Sequence, residues 1–531
     1  MKNTPLITRR LLGAAAASAL VLSFGVAPSW AATPKDMLVV ALAFDDIITM
    51  DPGEAFEISA GEIMGNTYDR LVRLDVNDPS KLVPDVTKSW TVSTDGKTFT
   101  FEINPGQKFA SGNPVTADDV AFSLQRAVLL DKADQVLRPA ILWNDTRCAL
   151  ECEEMMAELP SAAQLAGSLI MPGFTAPKLR WVAKHEPAVF AQVAKVLLPK
   201  DYVRLMLTGE HITDLSDASG TAWLDVAQRA WSPALLALTN MTEAHMPRAV
   251  EGSAPGGQLT ASVAAQLGLQ PGIVVAGGAG DNASSAVGMG AVHAGEGFLS
   301  LGTSGVLFVV TPTFAPNAAS ATHAFCHAVP ATWHQMSVML SAASCLQWAK
   351  QAFGAASEAE LEAKAAALSF EERAAAPLFL PYLSGERTPH NDAVTRGSLH
   401  GLSHSADQAA LAYAVIEGVT FGLTDGLNAL KKAGSSVNRL SLVGGGARSA
   451  MWAQQLASSL NVEIVLCAES AAGGALGAAR LGWLATGASI AQVCTQPAVS
   501  KSYQPDAAEQ AFLAPRYAKF QALYPALKAV Q

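Results

Sequence analysis

Residues 271–290 read PGIVVAGGAGDNASSAVGMG, and this stretch decides the fold. The apolar residues 273–276 are followed by a glycine-rich run and then by Asp281, which starts a series of small residues. The pattern predicts a short buried strand, a glycine turn and a helix that begins at Asp281. Open α/β sheets bind ligands at the carboxyl ends of their strands, so Asp281 would face a ligand there. An aspartate at such a turn also serves as a helix cap, and the spacing alone leaves both roles open.

A second glycine-containing turn follows in residues 297–310, which read GFLSLGTSGVLFVV. Two apolar runs flank Gly302, Thr303, Ser304 and Gly305. The pattern predicts a hairpin whose backbone N–H groups and two hydroxyls can face phosphate oxygens, because glycine allows close approach. An ordinary tight hairpin has the same composition, so this reading also stays open.

Two strand, glycine and helix units follow in succession, in residues 439–460 (RLSLVGGGARSAMWAQQLASSL) and 461–485 (NVEIVLCAESAAGGALGAARLGWLA). They suggest a nucleotide that lies against bare backbone. The residues of the first turn are Gly444, Gly445, Gly446, Ala447 and Arg448. A dinucleotide-binding fold is disfavoured, because the third glycine of its motif is missing and no acidic residue follows at the ribose-binding distance.

Several runs outside the glycine turns carry a family resemblance, among them RPAILWNDTRC (138–148), MPGFTAPKLRWVAKHEP (171–187), DLSDASGTAWLDV (214–226) and YLSGERTPHND (382–392). With the glycine turns, they make residues 127–531 resemble the FGGY family of carbohydrate kinases, and within it the kinases of xylulose. The second signature of the family departs at Ala410, where a polar residue is usual.

The resemblance implies an α/β fold: a two-domain, actin-like ATPase (ribonuclease H-like) kinase with ATP and the sugar in the cleft. The domains would span 127–293 and 294–531, and a homodimer is possible. The implied ligands are a ketopentose, ATP and Mg²⁺, whose protein ligands the sequence does not identify. Asp281 would accept the proton of the sugar hydroxyl, residues 302–305 would bind phosphates and residues 444–448 would hold adenosine. Residues implied near the sugar are Asn282, Trp143, Asn144, Asp145 and Arg147.

Residues 32–126 carry a different resemblance. The Asp51 and Pro52 pair and the runs LVPDVTKSW (82–90), DGKTFTF (95–101) and VTADDVAFSLQR (115–126) are similar to the start of family-five extracytoplasmic solute-binding proteins, which deliver peptides to transporters. This segment would form a mixed α+β fragment of a periplasmic binding protein. Alternation in TFTFEI predicts a hairpin, and residues 116–127 predict a helix. Gly96, Lys97 and Thr98 resemble the end of a phosphate loop, but the preceding glycine is absent and a hairpin turn is favoured.

Residues 1–31 predict an export signal, with Arg9 and Arg10 ahead of an apolar run and small residues at the end. Its use would place the protein in the periplasm, with no stable membrane insertion after removal. The kinase resemblance instead implies the cytoplasm. The net charge is -10 and no dense basic block occurs, which argues against a nucleic-acid partner.

The six cysteines are sparse, and we expect reduced thiols. A metal site at His323, Cys326, His327 and His334 is disfavoured by irregular spacing and the lack of a neighbouring carboxylate.

Two motifs of the kinase family do not occur in this sequence: the D-x-G-T-S of the first phosphate hairpin and the G-Q-M-H-G that contacts the sugar. The two resemblances meet near Arg126, so the first kinase domain would be truncated. We expect very weak or absent turnover from this loss. The alternatives are an exported peptide-binding component of a transporter and an inert hybrid of the two proteins.

Overall fold

The computed structural model describes residues 72–74, 81–92, 99–108, 128–467 and 473–529. Three sequence predictions lie outside these residues: the export signal 1–31, the helix 116–127 and the turn at 96–98.

Strands occur both in the described residues up to 108 and in those from 128 onward. They are β1 Val72–Leu74, β2 Leu82–Pro84, β3 Thr87–Val92, β4 Phe99–Ile103, β5 Val128–Leu130, β6 Lys195–Leu197, β7 Ile212–Asp214, β8 Leu224–Asp225, β9 Ala230–Trp231, β10 Arg248–Val250, β11 Pro255–Gln258, β12 Val274–Ala276, β13 Gly297–Leu301, β14 Gly305–Thr311, β15 His323–Cys326, β16 Trp333–Met339, β17 Leu378–Leu380, β18 Ser398–His400, β19 Arg439–Val443, β20 Glu463–Cys467 and β21 Val499–Tyr503.

Helices make up the rest of the regular structure in the described residues, apart from three short 3-10 turns. They are α1 Ala149–Glu158, α2 Ala162–Ala166, α3 Thr175–His185, α4 Pro187–Phe190, α5 Pro199–Thr208, α6 Leu215–Ser219, α7 Pro233–Ala237, α8 Ala261–Leu267, α9 Asp281–Gly288, α10 Ser344–Phe353, α11 Glu358–Ala366, α12 Phe370–Ala375, α13 Gln408–Lys432, α14 Ala450–Leu460, α15 Gly473–Ala485, α16 Ile490–Val493 and α17 Ala507–Lys528.

A seven-stranded sheet, in the order β15-β16-β14-β13-β19-β20-β21, organises the second half of the chain. Its centre is parallel, because β19 pairs in parallel with both β13 and β20. The strands on both sides are antiparallel. Parallel neighbours place their carboxyl ends at one edge, so the turns after β13 and β19 come together.

The helix α13 is the centre of the largest apolar core. Its side chains are apolar on nearly every face, and they pack with residues such as Leu299, Leu307 and Trp452. Its composition and length would suit a membrane span, with a mean hydropathy of 1.2 over an 18-residue window, but 89% of that window is buried inside the protein. The helix is therefore the core helix of this domain.

Short ladders replace a large sheet in the described residues before β13. The pairs are β1 with β2, β3 with β4, β5 with β6, β7 with β10, β8 with β9, and β11 with β12. Helices α1 to α3 enclose a second core that contains Met155, Leu179 and Trp223. Upstream, β3 and β4 form the antiparallel hairpin that the TFTFEI alternation predicts, with Trp90 opposite Phe101.

Candidate active site

The carboxylate of Asp281 is exposed at the first residue of α9, directly after the glycine loop 277–280. Its Oδ1 accepts hydrogen bonds from the backbone N–H of Asn282 at 2.7 Å and from the Asn282 side-chain amide at 3.0 Å. Gly280 occupies the N-cap position, so the side chain of Asp281 does not cap the helix. The carboxylate instead lies at a helix N-terminus, open to a ligand and oriented by Asn282.

The prediction of a buried strand at residues 273–276 is wrong in its burial. The strand begins at Val274, its three residues are half-buried, and the side chain of Ile273 is 44% exposed. Among the described residues β12 pairs only with β11, in an antiparallel ladder, and not with the parallel neighbours of an open sheet. A strand with a single partner leaves one edge and part of each face accessible.

The hairpin predicted at residues 302–305 is present between β13 and β14. The N–H of Gly302 donates to the carbonyl of Ser304 at 3.1 Å and closes the turn. The N–H of Ala342 donates to the carbonyl of Thr303 at 2.9 Å, which ties the turn to the start of α10. The side chains of Thr303 and Ser304 are exposed, so their hydroxyls are accessible to a ligand.

The second glycine segment follows β19 and forms the 3-10 turn Gly445–Arg448. Gly444 has a φ of 91°, and a Cβ at this position would lie 2.8 Å from the carbonyl oxygen of Leu301. Only glycine fits here without strain. The structure thus brings residues 302–305 and 444–448 together at one edge of the central sheet.

The helix that carries Asp281 packs against α15 with almost no space between the two backbones. A Cβ on Gly477 would overlap the carbonyl of Ser284, and a Cβ on Gly288 would overlap the carbonyl of Gly473. The guanidinium of Arg480 donates to the carbonyl of Gly288 at 2.9 Å. Since α15 follows β20, which pairs with β19, this contact fixes α9 beside the sheet that carries the glycine turns.

Four of the five residues implied near the sugar lie in one loop before α1, and the fifth, Asn282, lies beside Asp281 in α9. Asp145 and Arg147 form an ion pair at 2.7 Å, and the guanidinium lies 4.9 Å from the centre of the Trp181 ring. The hydrogen bonds from Arg147 hold the pKa of Asp145 below its usual range. Trp143 is 52% exposed, and Asn144 is next to it in the turn. Contact of these side chains with a sugar stays a prediction.

Comparison with known proteins decides the family. The model for the N-terminal domain of the FGGY family of carbohydrate kinases matches residues 112–288, and the model for the C-terminal domain matches residues 297–486. A xylulose kinase from Escherichia coli (strain K12) is 48% identical over 412 residues, which are 77% of this chain and 84% of the relative. The chain belongs to the FGGY family of carbohydrate kinases.

Solved structures agree with this assignment. A xyloylose kinase from Brucella ovis superposes with a TM-score of 0.74 at 50% identity, over 77% of this chain and 84% of that one. A xylulose kinase from Rhodospirillum rubrum gives a TM-score of 0.71 at 30% identity, over 77% and 83%. The predicted two-domain, actin-like ATPase fold of this FGGY kinase is confirmed.

A third family model overlaps the start of the kinase match. It describes the family 5 bacterial extracellular solute-binding proteins and matches residues 81–141. The prediction that the kinase is preceded by a fragment of such a protein is confirmed. The boundaries predicted at 126 and 293 stay predictions.

FGGY kinases use ATP with Mg²⁺. The exposed hydroxyls of Thr303 and Ser304 fit the phosphate oxygens of ATP. No group of three or more His, Cys, Asp or Glu side chains in the described residues could hold a metal ion. Proteins that use Mg²⁺ with nucleotides bind the ion through substrate phosphates and one or two carboxylates rather than a cage of side chains. An ion that arrives on the phosphates of ATP would therefore need no cage of side chains from the described residues.

Sequence reasoning missed the side chains that support the loop before Asp281. Ser216 accepts a hydrogen bond from the N–H of Gly280 at 3.1 Å, and Arg204 donates to the carbonyl of Gly277. The available signal was the run DLSDASG at 214–220, in which Asp214 caps α6. That pattern predicts a helix start, but not what the helix touches.

Burial keeps the histidine group neutral. It lowers the pKa of His323 to about 3 and of His327 to about 4, and it lowers that of His334 well below the usual value. The Nδ1 of His323 lies 2.9 Å from the hydroxyl of Ser168, and Phe308 stacks on His334. These side chains are core residues. All six cysteines of the chain are free thiols, and Cys467 alone among them is partly exposed.

Proposed function

We propose that this FGGY kinase transfers the terminal phosphoryl group of ATP to D-xylulose and forms D-xylulose 5-phosphate and ADP. The observation that carries the proposal is the shared edge of β13 and β19, which brings together the two glycine turns that would bind phosphate and nucleotide. The choice of sugar is supported by the 48% identity to a xylulose kinase over most of its length.

The chemistry assigned to each residue follows from what phosphoryl transfer requires. Asp281 accepts the proton of the sugar hydroxyl while the hydroxyl oxygen bonds to the γ-phosphorus and the bond between that phosphorus and ADP breaks. Asn282 orients the carboxylate through its two hydrogen bonds and contacts the ketose. N–H groups and hydroxyls at 302–305 donate to the phosphate oxygens as charge spreads over them. Mg²⁺, when bound, neutralises part of that charge.

The same requirement predicts that this chain is a poor catalyst. Its sequence contains no D-x-G-T-S hairpin, the motif that supplies a second set of phosphate donors in the family. Removal of a single preorganised donor costs about 10²- to 10³-fold in rate. We therefore expect turnover at least ~100-fold below that of an intact relative.

The proposal is tested by product identification. Purified chain is incubated with ATP, Mg²⁺ and D-xylulose, and ³¹P NMR is used to detect a sugar phosphate monoester beside ADP. Glycerol in place of D-xylulose, and a sample without sugar, are the controls. A monoester that forms only with D-xylulose supports the proposal, whereas one formed equally from glycerol contradicts the assigned sugar.

A second candidate function rests on the family-five match at 81–141 and on the hairpin of β3 and β4. In this reading the chain is an exported peptide-binding component of a transporter. Binding proteins of this type close two lobes around a peptide, and the match spans a small part of one. Calorimetry with di- and oligopeptides tests it, and micromolar binding would favour it. A chain that binds neither peptide nor ATP is the inert hybrid.

The location of the reaction follows from its substrates. ATP and reduced thiols are characteristic of the cytoplasm, so we propose that the kinase acts there. The apolar run in residues 1–31 favours the periplasm. Cell fractionation with an antibody to the kinase part distinguishes the two compartments.

A further inference from the structure

A cluster of charges lies beneath the loop that leads to Asp281, with Asp201, Asp214 and Arg204 buried and with Lys200 and Asp217 half-buried. The ammonium of Lys200, at the start of α5, lies 2.6 Å from Asp201, 2.6 Å from Asp214 and 3.4 Å from Asp217. Arg204, one turn further along α5, pairs with Asp201 at 3.0 Å. Buried charges are costly unless they are paired and hydrogen-bonded, so the geometry of such a cluster is tightly fixed.

Two side chains at the cluster, those of Arg204 and Ser216, form hydrogen bonds with the backbone of residues 277–280. The guanidinium of Arg204 donates to the carbonyl of Gly277. The hydroxyl of Ser216 donates to Asp214 at 2.5 Å and accepts the N–H of Gly280 at 3.1 Å. Arg204 therefore contacts the first residue of the loop, and Ser216 contacts the last residue, which directly precedes Asp281.

The loop depends on outside contacts for its conformation. Three of its four residues are glycines, which have the widest range of backbone conformations of any residue. Gly278 has a φ of 85°, and a Cβ on it would lie 3.0 Å from the guanidinium of Arg204. The N–H groups of Gly277 and Gly278 donate to the carbonyls of Ala254 and Gly252 at 2.8 and 3.0 Å, so backbone contacts hold the first half of the loop. Ser216 contacts the other end, at Gly280.

We propose that Ser216 and Arg204 are positioning residues, anchored by the Lys200 cluster, which fix the loop 277–280 and thereby the direction of the Asp281 carboxylate. Neither side chain touches the reacting atoms. The consequence for sugar binding rests on the proposed function, because it takes Asp281 as the group that contacts the sugar hydroxyl. The consequence for the loop itself is independent of any ligand.

The test compares Ser216→Ala with Ser219→Ala in the full chain. Ser219 lies on the same helix and is equally buried, but its hydroxyl donates to the carbonyl of Leu215 and accepts from the N–H of Cys326, away from the loop. Amide hydrogen exchange is followed by mass spectrometry on peptides that cover 277–283. We expect Ser216→Ala to speed exchange there about fivefold to tenfold, and Ser219→Ala to leave it unchanged.

Calorimetry separates positioning from general loss of structure. We expect Ser216→Ala to weaken D-xylulose binding about fivefold and to leave ATP binding within about twofold of the original chain. A purely structural role would weaken both ligands equally. If Ser216→Ala folds poorly, the same exchange and binding measurements are made on Arg204→Lys. This variant keeps the positive charge beside Asp201 and removes the hydrogen bond to Gly277.

Each outcome has a distinct meaning. Equal exchange at 277–283 in Ser216→Ala and Ser219→Ala overturns the positioning role, whatever the chain binds. If the unaltered chain binds no D-xylulose, the proposed function fails. The exchange comparison still shows whether Ser216 holds the loop 277–280 in place. Faster exchange with unchanged D-xylulose affinity also overturns the inference, because the loop would then not set the carboxylate.

Discussion

Replacement of Gly477 by alanine tests the contact that holds the Asp281 helix against α15. In the structure a Cβ at this position would lie 2.6 Å from the carbonyl carbon of Ser284, whereas ordinary contact begins at 3.4 Å. The two helices would have to separate by more than the 0.8 Å that the carbonyl carbon alone requires, because the carbonyl oxygen of Ser284 lies closer still and neither backbone atom can turn aside.

The expected loss combines two opposing effects. Overpacking of a close contact costs about 1–3 kcal/mol, and replacement of glycine by alanine inside a helix returns about 0.5–1 kcal/mol. We expect Gly477→Ala to lower the free energy of unfolding by about 1–2 kcal/mol. A displacement near 1 Å at a reacting group can cost about 10²-fold in rate, so residual turnover should fall as well.

Denaturant unfolding, followed by circular dichroism, measures the change against a matched control. Gly482 lies on the same helix, and no atom lies within 4 Å of the position that its Cβ would take. Gly482→Ala should leave the stability unchanged or raise it by up to about 1 kcal/mol. If Gly477→Ala is as stable as Gly482→Ala, the close packing of α9 on α15 does not exist as described.

Three further predictions follow from buried groups and strained backbone. His323 and His327 have pKa values of about 3 and about 4 in the folded chain, below the value near 6.5 in the unfolded chain. The stability from the two neutral side chains is therefore present above pH 6.5 and falls by about 2 kcal/mol for each histidine at pH 5. Denaturation at pH 7 and at pH 5 measures this loss. Arg516→Met leaves the buried carboxylate of Glu417 without its cation and should lower the free energy of unfolding by about 3–5 kcal/mol in denaturation. The loss should be larger at pH 8 than at pH 5, because burial raises the pKa of Glu417 and its carboxyl group accepts a proton more readily at the lower pH. Gly444→Ala should weaken ATP binding about tenfold in calorimetry through strain at its positive φ, and unchanged affinity would contradict the nucleotide role of this turn.

Local pattern was sufficient to predict the two glycine turns. The runs on each side of 302–305 are apolar and of strand length, and the residues between them are those that tight turns require. The same holds for residues 439–460, where a strand, Gly444 and a capped helix follow in order. What the sequence did not contain was their adjacency, which depends on the non-local pairing of β13 with β19.

The environment of Asp281 shows where local pattern fails. The apolar run at 273–276 predicts a buried strand, but burial depends on which strands pair with it, and β12 has a single described partner. The charge cluster is equally non-local, since it joins Lys200 and Asp214 beneath a loop more than sixty residues away.

The rate of ADP release with ATP and D-xylulose tests the central claim most directly. It is measured for this chain, for its Asp281→Asn variant and for the Escherichia coli xylulose kinase under the same conditions. We predict release that requires D-xylulose, at least ~100-fold slower than in the relative, and lost in Asp281→Asn. A rate close to that of the relative, or the same rate in the chain and its Asp281→Asn variant, would contradict the account.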